Sequence, residues 1–275
     1  MNISYTNYNG DTVNFTGTIK WNQLTGLGAE TVFVSTQNPF GDGETVSSDY
    51  LPSKRIQMNL LFLAGSEVAN TALYQETMAY LNPKLGIGYL RFQVSGVYDS
   101  KLNCYLESHM PMYDLVSGRR VLKASVSFYA PDPYFYDVTP TVVTLSGHSG
   151  GLTIPLVIPL VMAAPGAMTC TNSGNTTTPF LLEIVGKCTN PTLYNADTGE
   201  VIQYTGTINA GETLRIYTKY GEQYATLDGV NVFYNLGAST LFLLNPGLNN
   251  LTYYAFNESI GSSATLTFSS TWDSI

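Results

Sequence analysis

Residues 128–137 read Phe-Tyr-Ala-Pro-Asp-Pro-Tyr-Phe-Tyr-Asp, the most specific pattern in the chain. The preceding run at residues 121–129 is rich in β-forming side chains and predicts a strand. Proline fixes its backbone dihedral and lacks an amide N–H, so Pro131 and Pro133 end that strand and turn the chain. The aromatic side chains that follow can hold the turn against a core. We therefore predict that Tyr134 and Phe135 are structural anchors.

Upstream of this turn, strand-like runs lie at residues 31–34, 56–62 and 89–94. Only residues 66–81 have a helical period, with apolar side chains recurring at steps of three and four. Ser66 is a suitable N-cap for this helix. Pro83 ends it, because the residue before a proline is pushed out of the α region. The pattern predicts a single helix in an otherwise β-rich domain.

Downstream, residues 147–179 combine paired glycines, three prolines in an apolar stretch and a Thr/Asn-rich run, which is typical of an extended connector. Beyond them, about eight short strands separated by turns predict a β-sandwich or jelly roll. Asp228-Gly229 is a hairpin signal among these strands. The sequence thus predicts a mostly β protein, all-β with one helix. We place an N-terminal domain at residues 1–140, a connector at 141–179 and a C-terminal β-sandwich domain at 180–275.

Charged residues are scarce, at 12% of the 275 residues against roughly 25% in typical domains. The chain also has 20 tyrosines, which are enriched where surfaces are buried against partners. This composition predicts large contact surfaces, although a secreted-type β protein with a neutral polar coat would share it. The net charge is −8, and basic residues are adjacent only at 54–55 and 119–120. Affinity for nucleic acid rests mainly on phosphate neutralisation, for which this chain is poorly equipped.

The cysteines Cys104, Cys170 and Cys188 are odd in number and lack C-x-x-C spacing. They predict neither a disulfide framework nor a zinc site. The first residues lack the basic and apolar regions of a signal peptide. The apolar stretch at 152–168 is too short to span a membrane and is interrupted by prolines. We expect reduced cysteines, synthesis in a cytoplasm and no membrane association.

Residues 147–151, Gly-His-Ser-Gly-Gly, fit the G-x-S-x-G pattern of a hydrolase nucleophile. In that fold a helix follows the serine and the catalytic histidine lies later in the chain. Here Pro155 and Pro159 interrupt any such helix, and the one other histidine, His109, lies upstream. We therefore predict that this segment is a glycine hinge and that Ser149 is chemically inert.

Carboxylates cluster at Asp42, Glu44 and Asp49, and again at Asp132 and Asp137. A carboxylate pair can supply the acid and base of glycoside hydrolysis. Aspartates that form turns on solvated loops have the same spacing, and this interpretation is favoured. Glycine-rich phosphate loops are missing, and two histidines leave little for a metal site. The sequence predicts no catalytic residue, no metal site and no cofactor.

Residues 128–137 resemble the "apdPyfy" signature of the siphophage distal tail protein family, often called Dit. Shorter matches follow in the family's order over most of the chain, at residues 37–39, 42–43, 55–56, 81–83, 88–90, 150–152, 190–191, 193–195, 211–214 and 246–249. The resemblance implies a belt-like N-terminal domain that rings the tail end. It also implies a C-terminal β-sandwich, often galectin-like, and no catalytic residues.

The resemblance predicts a structural, non-enzymatic hub of a bacteriophage tail tip, made in the host cytoplasm and carried in the virion. Such a hub would be a homo-oligomeric ring, a hexamer, that joins the tail tube protein to baseplate, tail-associated and receptor-binding proteins. DNA would pass through the channel without specific binding, so we expect a neutral or acidic inner wall. The alternative is a carbohydrate-binding β-sandwich module of a phage adhesion device, because galectin-like sandwiches and exposed tyrosines suit sugar stacking.

Overall fold

The chain folds into two compact units in a computed structural model that describes residues 1–112, 121–146, 166–259 and 262–275. Unit 1 comprises Met1–Val138 and Trp272–Ile275, and unit 2 comprises Thr139–Thr271. Both units are built almost entirely from β-strands, and the described residues contain one α-helix, in unit 1. The predicted mostly β fold class is confirmed.

Unit 1 is organised around one large sheet. Its strands are β1 (Asn2–Thr6), β2 (Thr12–Asn14), β3 (Ile19–Thr25), β4 (Val32–Gln37), β5 (Glu44–Tyr50), β6 (Lys54–Phe62), β7 (Ile87–Val94), β8 (Tyr98–Met112), β9 (Leu122–Ala130) and β10 (Phe135–Asp137). Its helices are α1 (Glu67–Tyr80) and the 3-10 turn Pro83–Leu85. The large sheet has the order β2-β1-β7-β8-β9-β6-β3, with β10 also paired to β8, whereas β4 and β5 form a separate two-stranded sheet.

The centre of the large sheet forms because apolar and polar residues alternate on neighbouring strands. Along the antiparallel β6–β9 pair, Ile56 lies opposite Phe128 and Met58 lies opposite Val126. All four side chains are buried, since opposite residues in an antiparallel pair point to the same face. The period of two in the sequence therefore places this face in the core of unit 1.

The predicted helix at residues 66–81 is present as α1. The Ser66 hydroxyl accepts a hydrogen bond from the Ala69 amide at 3.1 Å, as expected of an N-cap. Val68, expected on the apolar face, is exposed, whereas Asn70 is buried. Asn70 is held inside because its Oδ1 accepts a hydrogen bond from the Ala64 amide at 2.5 Å. The helix therefore docks partly through polar contacts, which periodicity alone does not reveal.

The proline turn that follows β9 is anchored by one aromatic side chain. Phe135 is fully buried and packs edge to face on Phe92, with ring centroids 5.7 Å apart. Asp132 fixes the turn, because its carboxylate accepts hydrogen bonds from the Tyr134 amide at 3.3 Å and the Tyr136 hydroxyl at 2.8 Å. Tyr134 itself is half-buried. Phe135 is the main anchor, and Asp132 has the predicted turn-forming role.

Unit 2 consists of two sheets with a shared core. Its strands are β11 (Thr141–Ser146), β12 (Gly166–Asn172), β13 (Phe180–Val185), β14 (Cys188–Asn195), β15 (Val201–Gln203), β16 (Thr207–Ile208), β17 (Thr213–Tyr217), β18 (Tyr224–Leu227), β19 (Val230–Asn231), β20 (Gly247–Phe256) and β21 (Ser263–Phe268). A 3-10 turn spans Phe233–Leu236, and β22 (Thr271–Trp272) ends the element order. One sheet has the order β11-β21-β13-β17-β18-β19, and the other has the order β12-β20-β14-β15, with β16 also on β14.

The prediction of an extended connector over the whole of residues 141–179 is wrong in part. Strand β11 pairs with β21 along its full length, and β12 pairs with β20. Glycine and proline residues between these strands dominate the composition of the segment. The composition therefore does not reveal the strands at its two ends. Residues 147–165 lie outside the described residues. The glycine hinge at 147–151 and the chemical inertness of Ser149 therefore stay predictions. That residues 1–140 and 180–275 form separate domains also remains a prediction.

The C-terminal residues belong to unit 1, although the sequence placed them in the C-terminal domain. The Trp272 indole N–H donates a hydrogen bond to the Asp137 carboxylate at 3.1 Å. The Lys54 ammonium donates one to the Asp273 carbonyl oxygen at 2.6 Å and lies 4.5 Å from the Phe135 ring centroid. Both hydrogen bonds join residues more than 130 positions apart, which no local pattern predicts.

The stability of unit 1 is expected to rise between about pH 8 and 10.5 through Lys54. Burial lowers the pKa of Lys54 from 10.5 to about 8, with Asp273 opposing the shift. In this window the folded chain has released a proton that the unfolded chain still holds, so stability increases with pH. Urea unfolding at several pH values, monitored by the fluorescence of Trp21 and Trp272, measures this pH dependence of stability. Lys54→Met should remove this rise relative to the unchanged protein; identical pH profiles would contradict it.

The three cysteines are expected to resist thiol reagents in the folded protein. Cys104, Cys170 and Cys188 are free and buried. Burial raises the pKa of Cys104 to about 12 and that of Cys170 to about 11, and it also raises the pKa of Cys188. Because the thiolate is the reactive form, a disulfide reagent at pH 8 should modify less than one thiol per native chain and all three in denaturant. Rapid native modification would refute this.

Candidate assembly surface

The hairpin formed by β4 and β5, here called the arm, pairs with no other described strand. Every residue of β5 is exposed, and so is every residue of β4 except Val32. An isolated two-stranded hairpin is marginally stable in water. A structure of this kind is therefore expected to gain stability by lying on another surface.

The arm is held together by polar contacts of its own. At its tip, the Thr45 hydroxyl donates a hydrogen bond to Asn38 Oδ1 at 2.8 Å. Near its middle, Ser47 donates to the Val34 carbonyl oxygen at 2.9 Å, and Ser35 donates to the Glu44 carboxylate. These bonds define the hairpin shape without using the apolar side chains, which remain available to a partner.

The arm exposes large apolar side chains along its length. Phe40 at the tip is fully exposed, and Phe33 is 62% exposed. Val34, Val46 and Tyr50 are exposed as well. Several exposed large apolar side chains on one element are typical of a protein–protein contact. The sequence predicted a strand at residues 31–34 and a turn at Asp42, but it gave no sign that these residues project from the core.

The arm is also acidic, because it contains Asp42, Glu44 and Asp49 and no Lys or Arg. The three carboxylates that cluster in the sequence lie on this one hairpin. The Glu44 carboxylate accepts the hydrogen bond from Ser35. Asp132 and Asp137 lie at the proline turn and do not join them. Within the described residues, no group of His, Cys, Asp and Glu side chains could hold a metal ion. The exposed carboxylates of Asp42 and Asp49 give the arm a negative charge, which favours contact with a basic or neutral surface.

Two further sequence features are not among the residues that the structure describes. Arg119 and Arg120 lie outside the described residues, as does the G-x-S-x-G segment. In the part of the chain that the structure describes, no helix is long and apolar enough to cross a membrane.

Part of the chain is similar to a family of phage tail components. Residues 173–272 match the family model described as the siphovirus-type tail component, C-terminal domain. The resemblance to distal tail proteins predicted from the sequence is confirmed by this match. No curated protein matches the chain.

Among solved structures, the chain has the fold of the Dit protein of phage SPP1, described as a paradigm of the hub adsorption apparatus in phages that infect Gram-positive hosts. The TM-score is 0.71 at 12% sequence identity, and the match covers 98% of each chain. A chain of the phage P2 baseplate in its activated conformation with Ca is also similar, with a TM-score of 0.53 and 12% identity. That match covers 100% of this chain and 99% of the baseplate chain.

Proposed function

We propose that this protein is the structural hub of a siphophage tail tip, a virion protein that joins the tail tube to the baseplate and receptor-binding proteins. The observation that carries the proposal is the match of the whole chain, both units included, to the fold of a phage hub protein. The family match of residues 173–272 supports it from sequence. The role is scaffolding rather than catalysis, with no cofactor, and synthesis takes place in the host cytoplasm.

In this proposal, copies of the chain close into a ring, a hexamer, through the arm. A contact between two different surfaces of the same chain is heterologous, and its repetition around an axis forms a ring when the rotation between copies closes. The arm is suited to the role of one such surface because it is exposed, apolar and acidic, and because it is separate from the core sheet. The second surface would lie on unit 1 of the neighbouring copy.

The double substitution Phe33→Ser and Phe40→Ser tests the role of the arm. It removes two exposed aromatic anchors and no core contact, so the chain should fold normally but fail to enter tails. The measurement is the yield of infectious particles and of assembled tails when the variant replaces the natural gene product. The double substitution Tyr220→Ser and Tyr234→Ser is the matched control, because both are exposed aromatic residues of unit 2. Normal tails from the double variant would refute the arm's role.

A further inference from the structure

The residues that flank the arm in sequence line a cavity at its base. The cavity has a volume of about 210 Å³, and all its lining residues belong to unit 1. Some of them precede β4, some follow β5, and the remainder come from the proline turn and the C-terminal residues. This feature, here called the base cavity, is lined by Gly28, Leu51, Pro52, Ser53, Arg55 and Pro133, among others.

The backbone around the base cavity is well fixed. Gly26 has a φ of 92°, and a β-carbon there would overlap the Arg55 carbonyl oxygen, so only glycine lets this loop lie directly against the start of β6. Pro52 and Pro133 restrict the backbone of two other lining segments. A site that is formed in advance loses little conformational entropy when it is filled, which favours binding.

The size and lining of the base cavity suit a phenyl ring. Leu51, Pro52 and Pro133 are half-buried and offer apolar surface. An apolar cavity of about 150 Å³ is large enough to hold benzene, and the base cavity is larger than this. Gly28 and Ser53 are exposed, so the cavity is open to solvent and to a partner.

The chain has a phenyl ring that its own fold leaves in water. Phe40 at the tip of the arm is fully exposed. Strand β4 has six residues, and at about 3.4 Å per residue it is about 20 Å long. The tip therefore cannot reach the base cavity of its own chain, whereas it can reach that of a neighbouring copy. An apolar side chain and a cavity at separate places on one molecule form a heterologous contact between copies.

The charges beside the ring and beside the cavity favour the same contact. Asp42 is exposed at the tip of the arm, and the Arg55 side chain is 62% exposed at the base cavity. The Arg55 Nε donates to the Glu107 carboxylate at 3.2 Å, and the guanidinium has further N–H donors to offer. Glu30 and Asp273 also line the cavity, so it is not strongly basic. An ion pair here orients the contact more than it strengthens it.

We propose that Phe40 of one copy inserts into the base cavity of the next copy, with Asp42 beside Arg55. This inference rests on the proposed function, because it specifies the contact through which the arm would close the ring. The ring and the cavity lie at opposite ends of one arm. Each copy therefore gives one contact and receives one, and the same contact repeats from copy to copy.

The test is disulfide trapping in assembled tails whose chain carries both Phe40→Cys and Ser53→Cys. A disulfide requires Cα atoms within about 7 Å, so it forms only where the tip lies at the base cavity. The length of the arm prevents this bond within one chain, and the native cysteines are buried. Oxidised tails should give cross-linked multimers up to the hexamer on denaturing gels without reductant. Phe40→Cys with Val97→Cys is the matched control and should stay monomeric, since Val97 is 75% exposed in unit 1 outside the cavity.

Gly28→Trp is a second variant, which keeps Phe40 and fills the base cavity instead. A β-carbon at Gly28 meets no atom within 4 Å, so the chain should still fold, as thermal unfolding verifies. The yield of infectious particles should fall at least about tenfold, in line with the loss of an aromatic hot spot. Val97→Trp adds the same side chain elsewhere on unit 1 and should leave the yield unchanged.

The contact is overturned if the double cysteine variant assembles into tails without cross-links, or if Gly28→Trp gives a normal yield. Where the cysteine pair fails to assemble, the Gly28→Trp result decides. Either negative result leaves the hub role intact as long as the chain is found at the tail tip. If the chain is missing from the tails of the unchanged phage, the hub role fails and the contact fails with it.

Discussion

Phe135→Ala is expected to lower the free energy of unfolding of unit 1 by about 3–5 kcal/mol, the usual loss for a fully buried phenylalanine. The substitution removes the edge-to-face contact with Phe92 and leaves a cavity at the proline turn. It also removes the ring that lies over the Lys54 ammonium. The buried ammonium would then lose one of its stabilising neighbours, so the loss should fall in the upper part of the range.

Urea unfolding followed by tryptophan fluorescence measures this change directly. Both tryptophans, Trp21 and Trp272, belong to unit 1, so their emission reports on the unit that contains Phe135. Phe40→Ala is the matched control, because the same side chain is removed from a fully exposed position. Phe40→Ala should leave the transition unchanged. If Phe135→Ala leaves it unchanged as well, the turn is not anchored as the structure indicates.

Gly88→Ala is expected to destabilise unit 1 by about 3 kcal/mol or more, at the upper end of the effects of overpacking. A β-carbon at this position would lie 2.3 Å from the Thr6 carbonyl oxygen and 2.8 Å from the Tyr5 hydroxyl. The first of these atoms is backbone on the neighbouring strand β1, which cannot rotate away. Relief therefore requires β1 and β7 to separate, at the expense of their pairing.

Gly28→Ala is the control for this effect, since a β-carbon at Gly28 would meet no atom within 4 Å. The same urea experiment should show a large shift for Gly88→Ala and almost none for Gly28→Ala. Equal midpoints for the two variants would contradict the close approach of β1 to β7.

Local signals in the sequence predicted local structure well. Ser66 caps the helix where it was expected, because an N-cap needs only its own hydroxyl and an amide three residues on. Asp228-Gly229 forms the predicted hairpin between β18 and β19, and both residues have the positive φ that this turn demands. The alternation of apolar and polar residues on β6 and β9 likewise identified core residues, because successive side chains of a strand point to opposite faces of the sheet.

Features that depend on distant residues could not be predicted in this way. Strand β11 was assigned to a connector because its partner β21 lies more than 100 residues later. The return of Trp272 to unit 1 depends on Asp137, which lies equally far upstream. The strand at 31–34 and the turn at Asp42 were predicted, whereas β5 was not. The arm stands apart from the core because no other described strand pairs with it, and no local sequence pattern predicts that.

The most direct test of the hub role is a cryo-electron microscopy reconstruction of assembled phage tails. We expect six copies of this chain in a closed ring at the tail tip, with each arm on unit 1 of the next copy. The ring should have an axial opening with a neutral or acidic wall, which lets DNA slide without being held. A wall lined by rings of Arg and Lys, an assembly without an axial opening, or a tail tip that lacks this chain would contradict the account.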